Sequence, residues 1–355
     1  MKPDSLTFLK TLLDTPGPSA FEAAPARVWR AEAERFAESV RADVSGNSFA
    51  VLGDGRPRLM FAGHIDEIGV MVTYIDDDGY LSFDGIGGWD PQVFVGQRVV
   101  LLGRGGQVTG VVGKKAIHLM EKDDRERVSK IEELWIDIGA ANRGEAEHRV
   151  RIGDPGVLAA SALDFPNGRL VSRCIDNRIG AFVVLEALRY LTDGARPLAQ
   201  VTAVATTREE ISSVGGGARS SATALEADVA IVVDVTHATD YPGLDKRKHG
   251  DYRLGGGPVL SRGAAVSEIV FERLVAAAEA EAIPYSIEAA SRDTRTDAEG
   301  IFNAGRGIAT ALVSVPNRYM HSPNEMVALE DLDRTARLLA AFARGLDGET
   351  SFIPR

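Results

Sequence analysis

The chain has 355 residues, of which 45% are hydrophobic and 26% charged, ordinary globular values that exclude a long disordered tract. Its formal net charge is -11 with no basic stripe along the sequence, which excludes nucleic acid as the main partner because nothing is present to displace phosphate counterions. A mass of 38.0 kDa suffices for one large folded unit and a smaller one.

The first forty residues predict two helices. Asp4 or Ser5 is placed to cap the first, which carries Leu6, Phe8, Leu9, Leu12 and Leu13. Pro16-Gly17-Pro18 breaks it, and Ser19 is expected to cap a second helix running to about Val40. Strands are expected at Ser48 to Leu52 and Arg58 to Ala62, the latter leading into Gly63-His64-Ile65-Asp66-Glu67. Between Gly69 and Gly113 there are eleven glycines and short apolar runs such as Val70 to Tyr74 and Val95 to Leu102. Such punctuation predicts short strands joined by tight turns, hence a small β-barrel or sandwich. From about Pro166 the rhythm becomes α/β: a helix opened by Asp176 and running to about Leu191, strands at Gln200 to Thr206 and Asp228 to Asp234, a helix at Ser267 to Glu281, a strand at Ile308 to Val315 and a helix at Leu329 to Leu346.

The expected architecture is therefore a discontinuous α/β unit, residues 1–67 and 167–355, with a mixed central sheet flanked by helices and a β unit inserted at 68–166. The single cysteine, Cys174, excludes an intrachain disulfide and a multi-cysteine metal site. The start, Met1-Lys2-Pro3-Asp4-Ser5, lacks the apolar run of a signal peptide and no stretch reaches membrane-spanning length, so the expected address is the cytoplasm, with no membrane partner.

Several chemistry-bearing residues fall where an apolar strand ends. His64 follows one predicted strand, Asp234 closes another, Glu209-Glu210 come just after a third, and His321 lies a few residues beyond a fourth. Sites in open α/β sheets collect at the carboxyl edge of the strands, and Asp176 at a helix start is able to point to the same edge. Imidazole and carboxylate ligands suit zinc, cobalt or manganese, and a carboxylate can bridge two ions. Two histidines and three acids satisfy a paired site if one acid is shared, leaving the remaining glutamate as a base. Each feature alone reads as ordinary surface or packing chemistry; the set, in this order, reads as a metal-dependent hydrolase.

Gly63-His64-Ile65-Asp66-Glu67-Ile68-Gly69, Asp176-Asn177-Arg178-Ile179-Gly180, Arg208-Glu209-Glu210, Val233-Asp234-Val235-Thr236-His237-Ala238 and Arg318-Tyr319-Met320-His321-Ser322-Pro323 resemble the motifs of the tetrahedral (TET), glutamyl and "endoglucanase-like" aminopeptidases, a family of dinuclear metallopeptidases. Thr296-Asp297-Ala298 also resembles a family segment. The resemblance implies two divalent metal ions, zinc or cobalt: His64, Asp176 and Asp234 hold one, and Asp176, Glu210 and His321 the other. It implies that Glu209 is general base on a metal-bridging water and then acid, and that Asp66 hydrogen-bonds the outer nitrogen of His64. It further implies that the insert is a PDZ-like barrel supporting dimers, that dimers build a tetrahedral dodecamer, and that the substrates are short peptides cut at the N-terminal residue. The segment Ile211-Ser212-Ser213-Val214-Gly215-Gly216-Gly217-Ala218 is more polar and glycine-rich than that family's pattern.

An N-acyl amino acid deacylase or amidase uses the same dinuclear chemistry and is the alternative enzymatic reading. A glycosidase needs two acids without metal and ranks below it, as does a non-catalytic peptide-binding assembly protein. Cys174 and His237 read as packing residues, and His118, His148 and His249 show no partner pattern. Gly255-Gly256-Gly257-Pro258 lacks the Lys-Ser/Thr of a phosphate loop and is expected to be a turn lining the site. Arg292, Arg295 and Arg318 read first as salt-bridge residues.

Overall fold

Two helices open the chain in the structure, a computed structural model that describes residues 1–194, 196–212 and 215–354, with all their side chains except that at 124. Helix α1 (Pro3–Asp14) starts two or three residues earlier than expected: Lys2 occupies the cap without a side-chain bond, Pro3 presets the first helical φ, and Asp4 sits in the first turn. Helix α2 (Ala23–Ala33) is shorter than predicted at both ends. Ser19 is no cap; its hydroxyl is spent on Asp66. Past Ala33 the chain turns into β1 (Ser39–Ala42), where Val40 pairs with Ala50 instead of extending the helix.

The remaining elements follow in order as β2 (Ser48–Leu52), β3 (Arg58–His64), β4 (Gly69–Ile75), β5 (Leu81–Ile86), β6 (Arg98–Gly103), β7 (Gly106–Gly113), β8 (Trp135–Asp137), α3 (Arg143–Arg149), β9 (Pro155–Leu158), β10 (Leu163–Phe165), β11 (Arg169–Ser172) and α4 (Ile175–Thr192). Then come β12 (Gln200–Thr206), α5 (Gly216–Leu225), β13 (Val229–His237), α6 (Lys246–His249), β14 (Val259–Gly263), α7 (Glu268–Ala280), β15 (Ser286–Ala290), α8 (Asp297–Phe302), β16 (Ala309–Asn317), β17 (Glu325–Ala328) and α9 (Leu329–Arg344).

Eight strands form a mixed sheet in the order β1-β2-β12-β3-β13-β16-β14-β15. Its centre, β12-β3-β13-β16, is parallel throughout, so four strands end on one edge. Their unbroken apolar runs, such as Ala230-Ile231-Val232-Val233, belong to strands covered on both faces. On one face pack α1, α2, α4, α7 and α9 through residues including Leu9, Trp29, Phe182, Leu274 and Leu339. On the other pack α5 and α8 through Ala218, Ala222, Ala298 and Ile301. The α/β expectation holds.

Strands β4 to β9 close into an antiparallel barrel, β4-β5-β8-β7-β6-β9, as the glycine punctuation predicts. Alternation turns Val70 and Val72, Leu81 and Phe83, and Val99 and Leu101 into one small core with Phe94 and Ile136. Closure leaves no unpaired edge, and a bulge between Val72 and Tyr74 helps the sheet to curl. A three-stranded sheet, β10-β11-β17, lies beyond it. Among the described residues no helix is long and apolar enough to cross a membrane.

Close approach of α4 to β3 fixes the layer spacing next to the site. A Cβ at Gly63 would lie 2.4 Å from the carbonyl carbon of Gly180, and Trp29 Nε1 donates to Ala181 O at 2.8 Å on the same helix. Gly63→Ala is expected to lower unfolding free energy by about 1–3 kcal/mol through this overpacking, read from urea denaturation; an unchanged midpoint would show that α4 has room to shift.

Candidate metal and catalytic site

His64 ends β3, Glu209 and Glu210 follow β12, and His321 follows β16, so the parallel centre of the sheet delivers all four to one edge. Asp234 reaches that edge differently from the expectation that it closes its strand. β13 continues to His237 because β16 pairs with it as far as Asn317, whereas its pairing with β3 ends at Val232. The divergence of β13 from β3 leaves Asp234 facing the gap. Asp176 lies in the first turn of α4, where it and Asn177 depart from helical φ/ψ. The structure brings all of the sequence-predicted residues together in an open cleft of ≈ 1460 Å³, with Asp66 directly behind.

His64 Nε2 lies 3.3 Å from Asp176 Oδ1, 3.8 Å from Glu209 Oε2 and 3.9 Å from Asp234 Oδ1. His321 Nε2 lies 3.3 Å from Asp176 Oδ2 and 3.4 Å from Glu210 Oε2. Asp176 thus offers one oxygen to each imidazole. Two compact donor groups, His64 with Asp176 and Glu210, and His64 with Glu209 and Asp234, each have their donor atoms within 4.8 Å of one another. Asp66 Oδ1 is 3.5 Å from His64 Nδ1, and the same carboxylate accepts the backbone N–H of Glu209 and of Glu210, both at 3.2 Å.

Three positions that the sequence does not disclose complete the frame. Gly88, in the loop after β5, accepts from His321 Nδ1 at 2.7 Å, which aims Nε2 at the acids. Glu22 Oε1 accepts from the N–H of Arg208 at 3.1 Å, just before the glutamate pair. Glu325 accepts from the N–H groups of Asp176 and His321, each at 2.8 Å. Except for the local bond between His321 and Glu325, these contacts join segments distant in sequence, and a glycine carbonyl or a lone glutamate carries no spacing signal that would reveal them.

Electrostatically the cluster is over-supplied with negative charge. Burial, with the charges of Asp234, Asp297 and Glu210, pushes the Glu209 carboxyl up to about 10 against the pull of His64. Burial likewise raises Glu210 and Asp234, and the Asp176 charge adds to both. Burial opposes ionisation of Asp176, but hydrogen bonds from His321 and His64 hold it well below the usual range. Burial opposes charge on the imidazoles too, yet the surrounding acids carry His64 well above its ordinary value and His321 up to about 11. Glu210 Oε1 is buried without a hydrogen-bond partner among the described residues. Imidazole and carboxylate donors, an excess of anions and a buried oxygen without a partner fit a divalent cation, which would satisfy that oxygen and reverse the upward shifts of the acids.

Residues 46–338 match the M42 glutamyl aminopeptidase family. The chain belongs to that family. It is a peptidase-type hydrolase, and M42 peptidases depend on metal. This M42 chain is 33% identical to lysyl aminopeptidase of Pyrococcus furiosus over 95% of its own length and 96% of that protein's. It superposes on the TET aminopeptidase of Thaumarchaeota archaeon SCGC AB-539-E09 with a TM-score of 0.93 at 33% identity, covering 98% of this chain and 97% of that one. TET1 peptidase of Pyrococcus horikoshii, which can assemble into a tetrahedron or a large octahedral shell, gives 0.85 at 30% identity over 96% of this chain and 100% of that one.

Other residues singled out in the sequence fall into place in this M42 chain. Arg318 is held by Asp240 at 2.8 Å, whereas Arg292, Arg295 and His237 line the cleft. Gly255 and Gly257 donate their N–H groups to Asp331 and are not among the lining residues; the expected site-lining turn is instead a cradle for a carboxylate of α9. In the glycine-rich segment Ser213 and Val214 lie outside the described residues. Gly215 passes so close to α8 that a Cβ there would sit 2.4 Å from Gly300 Cα, which accounts for a glycine at that point.

Cys174 is buried, its Sγ donates to Leu13 O at 3.2 Å, and burial pushes its thiol up to about 12. A thiol of that kind is inert. Alkylation of the native protein at about pH 8 is expected to leave Cys174 unmodified by mass spectrometry, with full labelling after denaturation; rapid labelling of the native form would contradict this packing.

Proposed function

We propose that the cleft is the active site of a dinuclear metal-dependent aminopeptidase acting on short peptides. The observation that carries this reading is Asp176, a single buried carboxylate with one oxygen 3.3 Å from each of two imidazoles. On this reading His64, Asp176 and Asp234 hold one divalent ion and Asp176, Glu210 and His321 the other, with Asp176 shared. The donor set suits zinc or cobalt. When bound, the ions would polarise the scissile carbonyl and bring a water's pKa toward neutrality.

The chain's own residues do the rest. Asp66 holds the His64 ring from behind and anchors the N–H groups of Glu209 and Glu210. Glu209 takes a proton from the attacking water at its carboxylate and returns it to the leaving amine. The open cleft of ≈ 1460 Å³ has room for a peptide end. Because Glu209 also stands 3.8 Å from His64, its role as base rather than ligand is the part of the reading most directly open to test.

By the same reading, residues 68–166 form an inserted unit inside a discontinuous catalytic unit of 1–67 and 167–355. Barrel closure by β4 to β9 supports that division. The insert would carry the contacts of a dimer, and dimers would assemble into a tetrahedral dodecamer. The shells formed by the Pyrococcus horikoshii relative support this, and sedimentation of the purified protein decides it.

Glu209→Gln is expected to keep fold and metal content while turnover on an aminoacyl chromogenic substrate falls by about 10²–10⁴-fold. Retained activity in the metal-replete variant would remove Glu209 from the role of base. Chelation is expected to abolish activity and zinc or cobalt to restore it, with free-amine substrates cut and N-acyl ones spared. Hydrolysis of N-acyl substrates alone would make the protein a deacylase instead.

A further inference from the structure

We propose that Glu325 is a positioning residue that sets the spacing between Asp176 and His321. The inference rests on the metal-site reading above and adds a residue to it. Glu325 is 2% exposed and begins β17. Its Oε2 accepts the backbone N–H of Asp176 and its Oε1 the backbone N–H of His321, both at 2.8 Å. These are the two residues whose side chains face each other at 3.3 Å. One rigid carboxylate therefore spans the backbones of two ligand residues that are 145 positions apart in sequence, His321 minus Asp176.

The need for such a staple is local. His321 and Tyr319 adopt φ of 59° and 64°, the left-handed region that residues with a Cβ rarely occupy and that surrounding contacts must enforce. The loop carrying them is closed by a reciprocal backbone pair between Arg318 and Met326, each bond 3.0 Å, which fixes its ends but not its tip. Glu325 fixes the tip. On the other side, Asp176 precedes the regular part of α4, and its N–H goes to Glu325. Both oxygens of Glu325 are used as acceptors. A glutamine at 325 keeps the shape but presents one acceptor and one donor, so it sets a donor against an N–H. An aspartate keeps both acceptors on a shorter stem.

The test uses chelator-treated full-length protein titrated with zinc against a chromophoric competitor. Glu325→Gln is expected to weaken zinc binding by about 10–100-fold, the usual consequence of losing a residue that orients a ligand, and Glu325→Asp to recover part of it. A role in general stability alone would lower the melting temperature and leave zinc affinity where it was. Wild-type zinc affinity in both variants would overturn the proposal. Amide hydrogen exchange on the wild-type chain decides it without any variant: the N–H groups of Asp176 and His321 are expected to be protected before metal is added, and exchange at the rate of open loop amides would refute the staple. If wild-type protein takes up no divalent ion, the metal-site reading fails, while the exchange result still decides whether Glu325 holds the two backbones.

Discussion

Mutual repulsion among Asp176, Glu209, Glu210 and Asp234, gathered with two imidazoles at the carboxyl ends of parallel strands, is the constraint on which the rest of the molecule depends. Carboxylates buried together resist ionisation and push apart, and the upward displacement of Glu209, Glu210 and Asp234 records that tension. A chain holds such a set only if the backbone beneath it cannot relax. The four central strands supply stiffness in one direction. Across the loops the same work falls to Asp66, Glu22 and Glu325, buried acids that accept N–H groups from the segments bearing the cluster.

Behind this edge lies an interior ion network that ties the helices to it. Arg178 is fully buried on α4 and donates to Leu12 O at 2.8 Å, Ile65 O at 3.0 Å and Glu67 Oε1 at 2.8 Å. Glu67 in turn meets Arg173 at 2.7 Å. A buried guanidinium is tolerated only when its donors are spent, and here they are spent on the end of α1 and on the turn after His64. The stretch Asp176-Asn177-Arg178 therefore divides its duties: the aspartate faces the cleft and the arginine fastens the first helix beneath it.

Much of this arrangement is legible in the amino-acid sequence. Ser48 to Leu52 and Gln200 to Thr206 form strands with the bounds their apolar runs predict, and the barrel appears where glycines crowd. The cluster is legible because its members sit after strands, a position that sequence order alone reveals. What escapes is decided by tertiary partners. Ser19 looks like a cap and is claimed by Asp66; Val40 looks like the end of a helix and is claimed by β2. Asp234 looks terminal because apolar residues stop before it, yet pairing with β16 carries the strand on. Gly255 to Gly257 look like part of the site because glycine turns often are, but Asp331 has the stronger claim on their N–H groups.

The carbonyl of Gly88, held against His321 Nδ1, joins the two halves of the chain's architecture in one bond. Gly88 follows β5 of the barrel, whereas His321 belongs to the sheet edge. The barrel is consequently tied to the cleft through the orientation of one imidazole. A chain shorn of its barrel would retain every acid and both imidazoles in its sequence, but the His321 ring would lose the partner of its outer nitrogen and be held only from the side of Asp176 and Glu210.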